Sequence, residues 1–235
     1  MRVPSRIHRR KFNVLGLLGV LALPVARANG QDALSATEWA QGLKLALEKG
    51  VQAAVTRLGV QDGFWGNPAL RIGLPEPLAK ASRAARMLGL GGQLDELSLQ
   101  MNRAAEAAVP LSARLLGDAV KTLSVQDARS LLQGDETAVT RFFADRTRQP
   151  LAREFEPTVD RMLQQLGVVE RYNAVASRLA ASGLLKNEQA SLQGHVTSKT
   201  LDGLYAVIGE EEKKIRRHPA QAGSDLLAKV FGGLR

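Results

Sequence analysis

The sequence predicts an all-α protein, a single compact bundle of about nine or ten helices that follows an N-terminal signal peptide. Apolar residues recur every three to four positions through most of the chain, which is the period of an amphipathic helix. Serine, aspartate, glycine and proline stand at the ends of these stretches, where helices are capped or broken. No segment alternates apolar and polar residues for long. Residues 69–74 come closest to a strand, and they have no evident partner strand.

The first 28 residues have the three parts of an export signal. Residues 14–25 form an apolar run of about 12 positions, which is too short to cross a bilayer, since about 20 are needed. Residues 26–28 show the small-x-small pattern of a cleavage site, so we expect the mature chain to begin at Asn29. The basic residues that precede the apolar run are Arg2, Arg6, Arg9, Arg10 and Lys11.

Two export routes are open to this signal. Arg9 and Arg10, followed by Lys11 and Phe12, favour the twin-arginine route, which carries folded proteins. The mildly hydrophobic run and Arg27 fit that route. The alternative is a general secretory signal that contains two adjacent arginines.

The charge of the mature chain argues against a nucleic-acid partner. The whole chain has 32 Lys and Arg against 23 Asp and Glu, a net charge of +9. Six of the basic residues and none of the acidic ones precede Asn29, so the mature chain has 26 against 23, a net charge of +3. Nucleic-acid binding would need a strongly basic face.

The mature chain, residues 29–235, has about 207 residues, which is enough for one helical domain with its own core. There is no cysteine, which excludes disulfides and a lipid-modified N-terminal cysteine. No later stretch reaches the length of a membrane span. We therefore expect a soluble periplasmic protein without a transmembrane segment.

The first predicted helix begins with the capping box formed by Ser35 and Glu38, which satisfies free N–H groups at a helix start. Gly59 ends this helix. Its apolar face consists of Trp39, Leu43, Leu47, Val51, Val55 and Leu58.

Residues 62–75, "DGFWGNPALRIGLP", interrupt the helical pattern. Asp62 and Asn67 are turn formers, and the residue before Pro68 is biased towards an extended conformation. Phe64 and Trp65 should dock on the helices as apolar anchors. The segment is either a well-packed interhelical loop or a wall or lid over a pocket.

The remaining helices follow from their apolar faces and their breakers. A helix starts at Pro75 and Pro77 and ends near Leu88, and residues 89–92 form a turn. The next helix stops before Pro110. The later helices are predicted over 111–123, 124–132, 135–166 with a kink or restart at Pro157, 168–179, 193–217 and 225–231.

Few residues suited to catalysis remain after cleavage. His195 and His218 are the two histidines of the mature chain, and there is no cysteine, so the sequence predicts neither a metal site nor a cofactor. A Ser-His-Asp triad would need one of these histidines, and no nucleophile-elbow pattern is present.

The apolar stripe of the helix predicted over 193–217 has one gap, which we assign to Glu211. A carboxylate on an apolar face is costly to bury unless it is paired or hydrogen-bonded. Glu211 should therefore reach the edge of the face or meet a cation. The other members of the stripe are Thr197, Leu201, Leu204, Ile208 and Ile215.

The cations that could pair with Glu211 fall into two groups. Lys214 and Arg216 on its own helix would form a surface pair. A pair with a more distant cation would be a structural contact in the simpler interpretation. The alternative is a ligand or catalytic site. The more distant candidates are Lys121, Arg141 and Lys199.

Two further polar residues, Asn102 and Glu106, share one face of an alanine-rich helix that another helix can approach closely. Together with the 62–75 segment they define the predicted pocket or buried polar cluster. Its members are Asp62, Asn67, Asn102, Glu106, Lys121, Arg141, Lys199 and Glu211.

Four stretches together resemble a known family. They read "DGFWGNPALRIGLP", "MNRAAEAAVP", "DAVKTLSVQDARSLLQGDETAVTRFF" and "VTSKTLDGLYAVIGEEEKKIRRHPA". The chain resembles the bacterial envelope family known as domain-of-unknown-function family 4197 over essentially the whole mature length. Gly73 and His195 depart from the usual pattern without upsetting the match. The resemblance implies an exported helical protein and brings no catalytic residues.

Three functions fit these observations. The first is a periplasmic binding or interaction module whose polar pocket takes a small molecule or an envelope protein. The second is a hydrolase-like enzyme with Glu106 or Glu211 as general base. The third is a structural envelope protein that associates with membrane or peptidoglycan through surface charge.

Overall fold

The computed structural model describes residues 34–124, 126, 128–185 and 191–233, so the predicted signal peptide lies outside the described residues. The described part is all-α and contains no strand, which confirms the predicted fold class. A short 3₁₀ helix, Pro219–Gln221, precedes the last α-helix. The α-helices are α1 (Ala36–Leu58), α2 (Glu76–Met87), α3 (Gly91–Thr122), α4 (Ala128–Leu132), α5 (Ala138–Gln165), α6 (Val168–Ala181), α7 (Leu192–Arg217) and α8 (Asp225–Gly232).

The described residues form eight α-helices rather than nine or ten, because prolines do not break two of them. Helix α3 continues through Pro110, and α5 continues through Pro150 and Pro157. All three prolines are exposed. Each proline removes one helical hydrogen bond. The carbonyls freed on α5 belong to the exposed residues Arg146 and Arg153, where water can satisfy them, whereas the one freed on α3 belongs to the buried Glu106.

Four long helices form the centre of the bundle. Helix α1 packs along α7, α7 along α5, α5 along α3, and α3 returns to α1. Gly50 allows the close approach of α1 to α7, because a Cβ there would lie 2.9 Å from Ile208 Cγ2. Helices α2 and α6 cover α3, while α4 and α8 pack on α1.

The predicted capping box at the start of α1 is confirmed. The Ser35 hydroxyl accepts from the Glu38 N–H at 3.2 Å, and the Glu38 carboxylate accepts from the Ser35 N–H at 2.8 Å. Residues from Leu34 onward form one compact unit. Within the described ranges, no helix combines the length and the apolar character that crossing a bilayer requires.

Candidate functional site

The α1–α2 loop (residues 59–75) is fastened to α3 by Glu106, whose residue surface is only 4% exposed. Glu106 Oε1 accepts from the backbone N–H groups of Phe64 and Trp65, each at 3.0 Å. Its Oε2 accepts from Arg103 at 2.7 Å, and Arg103 also donates to Asp62 at 2.8 Å. The hydrogen bond to Glu106 raises the pKa of Arg103. These charge-assisted bonds offset the cost of burying the carboxylate.

Asn102, one turn away on α3, holds the other end of the loop. Its Oδ1 accepts from the Ile72 N–H, and its Nδ2 donates to the Ile72 carbonyl, both at 2.8 Å. The loop also packs on α7, because a Cβ at Gly203 would lie 2.5 Å from Phe64 Cε1. Phe64 and Ile72 are fully buried. Of the two interpretations of this segment, the contacts favour a well-packed interhelical loop.

Asn67 does not join these anchors. Its Oδ1 accepts from the Ala69 N–H at 3.1 Å, which is a local turn within the loop. A surface groove of about 300 Å³ lies beside the loop, with Arg57, Asp62 and Asn67 among its lining residues.

A second buried carboxylate, Glu212 on α7, caps α5. Glu212 Oε1 accepts from the Val139 N–H at 3.2 Å, and Oε2 accepts from the Thr140 N–H at 2.8 Å and the Thr140 hydroxyl at 2.7 Å. These N–H groups belong to the first turn of α5, whose N-cap residue Thr137 makes no side-chain cap bond. A carboxylate from another helix therefore takes the place of a local N-cap.

Arg216 extends this contact to α4. Its Nε and Nη2 donate to Glu212 Oε1 at 2.9 and 2.8 Å. Its guanidinium also donates to the carbonyls of Leu132 at 2.5 Å and Leu131 at 3.3 Å. The pair places a positive charge at the C-terminal end of α4 and a negative charge at the N-terminal end of α5, as the helix dipoles favour.

The assignment of the gap in the α7 stripe to Glu211 was wrong, since Glu212 is the buried residue. The Glu211 side chain is 23% exposed and pairs with Lys214 at 3.1 Å, which is the intrahelical alternative. The other predicted members of the stripe are buried. A step of four from Ile208 reaches position 212, and a further step of three reaches Ile215. The assignment to Glu211 used a step of three from Ile208 instead.

The three distant cations proposed for Glu211 pair with other residues. Lys121 lies 3.5 Å from Asp118, Arg141 2.6 Å from Asp135, and Lys199 3.3 Å from Asp202. The structure therefore brings together Asp62, Asn102 and Glu106 around the α1–α2 loop and leaves the other five predicted site residues outside that cluster. The residues that sequence reasoning missed are Arg103 and Glu212, and Arg216, named there as a surface partner of Glu211, pairs with Glu212 instead.

Neither histidine belongs to a polar cluster. His195 Nε2 lies 2.8 Å from the Gly73 carbonyl oxygen, and His218 is the C-cap of α7. In the part of the chain that the structure describes, no three His, Cys, Asp or Glu residues are grouped so that they could hold a metal ion.

An open groove of about 470 Å³ runs between α5 and α7, and we call it the α5–α7 groove. Tyr205 lies along its apolar lining, with its hydroxyl 2.9 Å from the Thr147 hydroxyl. Burial raises the pKa of Tyr205. The small residues of the lining are Ala144, Ala206 and Gly209.

Charged residues of both signs border the α5–α7 groove. Arg148 pairs with Asp202 at 2.7 Å and lies over the Tyr205 ring. Arg57 pairs with the bordering residue Glu210 at 2.7 Å. Lys213 forms no ion pair with any of the described residues. The charged residues of the border are Arg141, Arg148, Asp202, Glu210 and Lys213.

The fold and these contacts define an all-helical bundle whose long loop and α5 terminus are fastened by buried carboxylates. The chain belongs to the family described as "Protein of unknown function (DUF4197)", whose model matches residues 33–232. The match confirms the resemblance found in the sequence. No curated protein and no solved structure matched the chain.

Proposed function

We propose that this chain is an exported periplasmic interaction module that binds a peptide segment of an envelope protein in the α5–α7 groove. The groove is the observation that carries the proposal. The lining residues span 137–148, from the N-cap of α5 into that helix, and 202–213 on α7, a length of roughly 17 Å at the helical rise.

The form of the groove favours a peptide over a small molecule. Small-molecule sites enclose most of the ligand's surface, whereas this groove is open along its length. Its small lining residues let a peptide backbone approach closely, and the charges on both borders supply polar contacts. Lys213, which has no acidic partner among the described residues, suits a peptide that carries an acidic residue beside small apolar ones.

The buried carboxylates support binding over the hydrolase alternative. A general base needs an oxygen within reach of a substrate proton. Both oxygens of Glu106 already accept N–H groups, and both oxygens of Glu212 accept backbone or side-chain donors. Glu211, the other candidate base, is paired with Lys214.

The periplasmic location rests on the N-terminal sequence. The basic segment, the short apolar run and the small-x-small pattern support cleavage after Ala28. N-terminal sequencing of the chain recovered from the periplasm should begin at Asn29. Loss of export in a strain without the twin-arginine translocase would assign that route, and retained export would assign the general secretory one. A chain that stays uncleaved in the cytoplasm would contradict the location.

A peptide selection tests the groove. A displayed library of peptides is selected on the folded chain. The peptides are about 12 residues long, a length that matches the groove when the peptide is helical. We expect enriched peptides to combine small apolar and acidic residues. Ala206→Phe should weaken their binding by about tenfold or more, which corresponds to ~1.4 kcal/mol, because the ring fills the groove.

Ala107→Phe provides the matched control. Ala107 is an exposed alanine within α3, away from the α5–α7 groove, so this variant should bind the peptides as the unmodified chain does. Selection of no peptide, or equal binding by the two phenylalanine variants, would overturn the proposal.

A further inference from the structure

We propose that the α2–α3 turn (residues 87–92) docks the protein on an anionic lipid surface. This inference does not depend on the α5–α7 groove, because the two surfaces share no residue. It rests on exposed apolar side chains, on the shape of the turn and on the charges beside it.

The turn presents two adjacent, highly exposed apolar side chains. Met87 is 84% exposed and Leu88 is 54% exposed. Scattered single apolar residues on a surface need no explanation, but these two are consecutive and stand at the tip of a helical hairpin.

The turn is convex and open. Gly89 has a φ of +77°, a left-handed conformation that glycine adopts without strain. A Cβ at Gly89 or at Gly92 would meet no atom within 4 Å. The apolar pair therefore projects into solvent, while Leu90 in the same turn is buried in the core.

Basic residues surround the pair. Arg83 lies four positions before Met87, on the same face of α2, and forms no ion pair with the part of the chain that the structure describes. Arg86 is neutralised by Asp95. Arg178 of α6 reaches the start of α3, where it donates to Gln93 at 3.3 Å. The unneutralised arginines give this end a positive charge that complements anionic headgroups.

The size of the patch favours a lipid surface over a protein partner. Two apolar side chains expose on the order of 200 Å², whereas a stable protein interface buries about 800 Å² on each partner. Shallow insertion of a few apolar side chains, supported by nearby cations, is sufficient for reversible binding at a lipid interface.

Vesicle sedimentation tests the proposal on the chain that begins at Asn29, since the compact unit starts at Leu34. The probes are vesicles of phosphatidylglycerol mixed with phosphatidylcholine, and vesicles of phosphatidylcholine alone. We expect binding to the anionic vesicles, weakened at about 0.5 M salt by screening. Met87→Ser with Leu88→Ser should abolish most of the binding, and Arg83→Gln should weaken it about fivefold.

Leu111→Ser is the matched control, because Leu111 is 53% exposed on α3, and it should bind as the unmodified chain does. Circular dichroism checks that all variants are folded. No binding to anionic vesicles, or equal binding by the Met87/Leu88 and Leu111 variants, would overturn the proposal. A dimer that the Met87/Leu88 substitutions dissociate, without any vesicle binding, would assign the patch to a second copy instead.

Discussion

Glu212 on α7 binds Thr140 on α5 twice, through the backbone N–H at 2.8 Å and through the hydroxyl at 2.7 Å. The contact joins residues 72 positions apart and caps a helix that has no side-chain cap of its own. Because Arg216 ties the same carboxylate to α4, one ion pair fixes how α4, α5 and α7 meet. Thr140 also lines the α5–α7 groove.

Removing the Glu212 carboxylate should strongly destabilise the fold. Glu212→Ala leaves the mostly buried Arg216 guanidinium and two helix N–H groups without their acceptor. Loss of one partner of a buried pair costs about 3–5 kcal/mol, which urea denaturation would report as a lower free energy of unfolding. Glu211→Ala, at the adjacent and more exposed pair, should cost less than about 1 kcal/mol. Equal losses in the two variants would refute the proposed role of Glu212.

Removing Glu106 should loosen the α1–α2 loop. In Glu106→Ala, the amides of Phe64 and Trp65 lose their acceptor. A hydrogen bond to a charged group contributes about 1.5–3 kcal/mol, so hydrogen exchange at these two amides should accelerate by at least about tenfold. Glu96→Ala, which breaks a surface pair on the same helix, should leave their exchange unchanged. Unaltered exchange in Glu106→Ala would show that other contacts hold the loop.

Alanine substitutions at two glycines of α7 should change the stability of the fold in opposite directions. Gly203→Ala places a methyl group 2.5 Å from the buried Phe64 ring, and such overpacking costs about 1–3 kcal/mol. At Gly209 the nearest atom to an added Cβ is 3.5 Å away, so Gly209→Ala should be neutral or gain up to about 1 kcal/mol of helix propensity. Thermal unfolding of both variants measures the difference. A Gly203→Ala variant as stable as the unmodified chain would contradict the packing of Phe64 on α7.

Lowering the pH should remove the contribution of Glu38 and Asp135 to the free energy of unfolding. The Ser35 N–H lowers the pKa of Glu38, and Arg141 lowers the pKa of Asp135. Because the folded pKa values lie below the unfolded ones of about 4, these groups stabilise the fold above pH ~4, and the stabilisation is lost as pH falls through the folded pKa values. Glu38→Gln combined with Asp135→Asn should flatten the decline of unfolding free energy below pH ~4 relative to the unmodified chain. An identical decline in the double variant and the unmodified chain would refute the stabilising role assigned to Glu38 and Asp135.

Local signals predicted the helical fold well. The capping box at Ser35 and the apolar period of α7 are short-range patterns that the chain carries whatever its partners are. The break expected at Pro110 was wrong, since α3 continues through it, and α5 continues through Pro157, where a kink or a restart was expected. A proline at an exposed position does not have to end its helix, and exposure depends on tertiary packing.

The contacts of the buried carboxylates were harder to predict. Glu106 binds backbone N–H groups 41 and 42 positions away. Every residue except proline has such a group, so the pattern of side chains does not predict which ones a carboxylate will bind. The ion-pair partners were visible, since Arg103 precedes Glu106 by three residues and Arg216 follows Glu212 by four. The error at Glu211 was a one-residue shift in helical phase, which is enough to exchange a buried position for a more exposed one.

The central claim, that the α5–α7 groove binds a peptide, is tested most directly by mapping backbone amide shifts of the chain by NMR as a selected peptide is added. We predict that the largest shifts fall on residues 137–148 and 202–213, with Lys213 among them. Shifts confined to the α2–α3 turn or to the α1–α2 loop, with residues 137–148 and 202–213 unchanged, would contradict the claim.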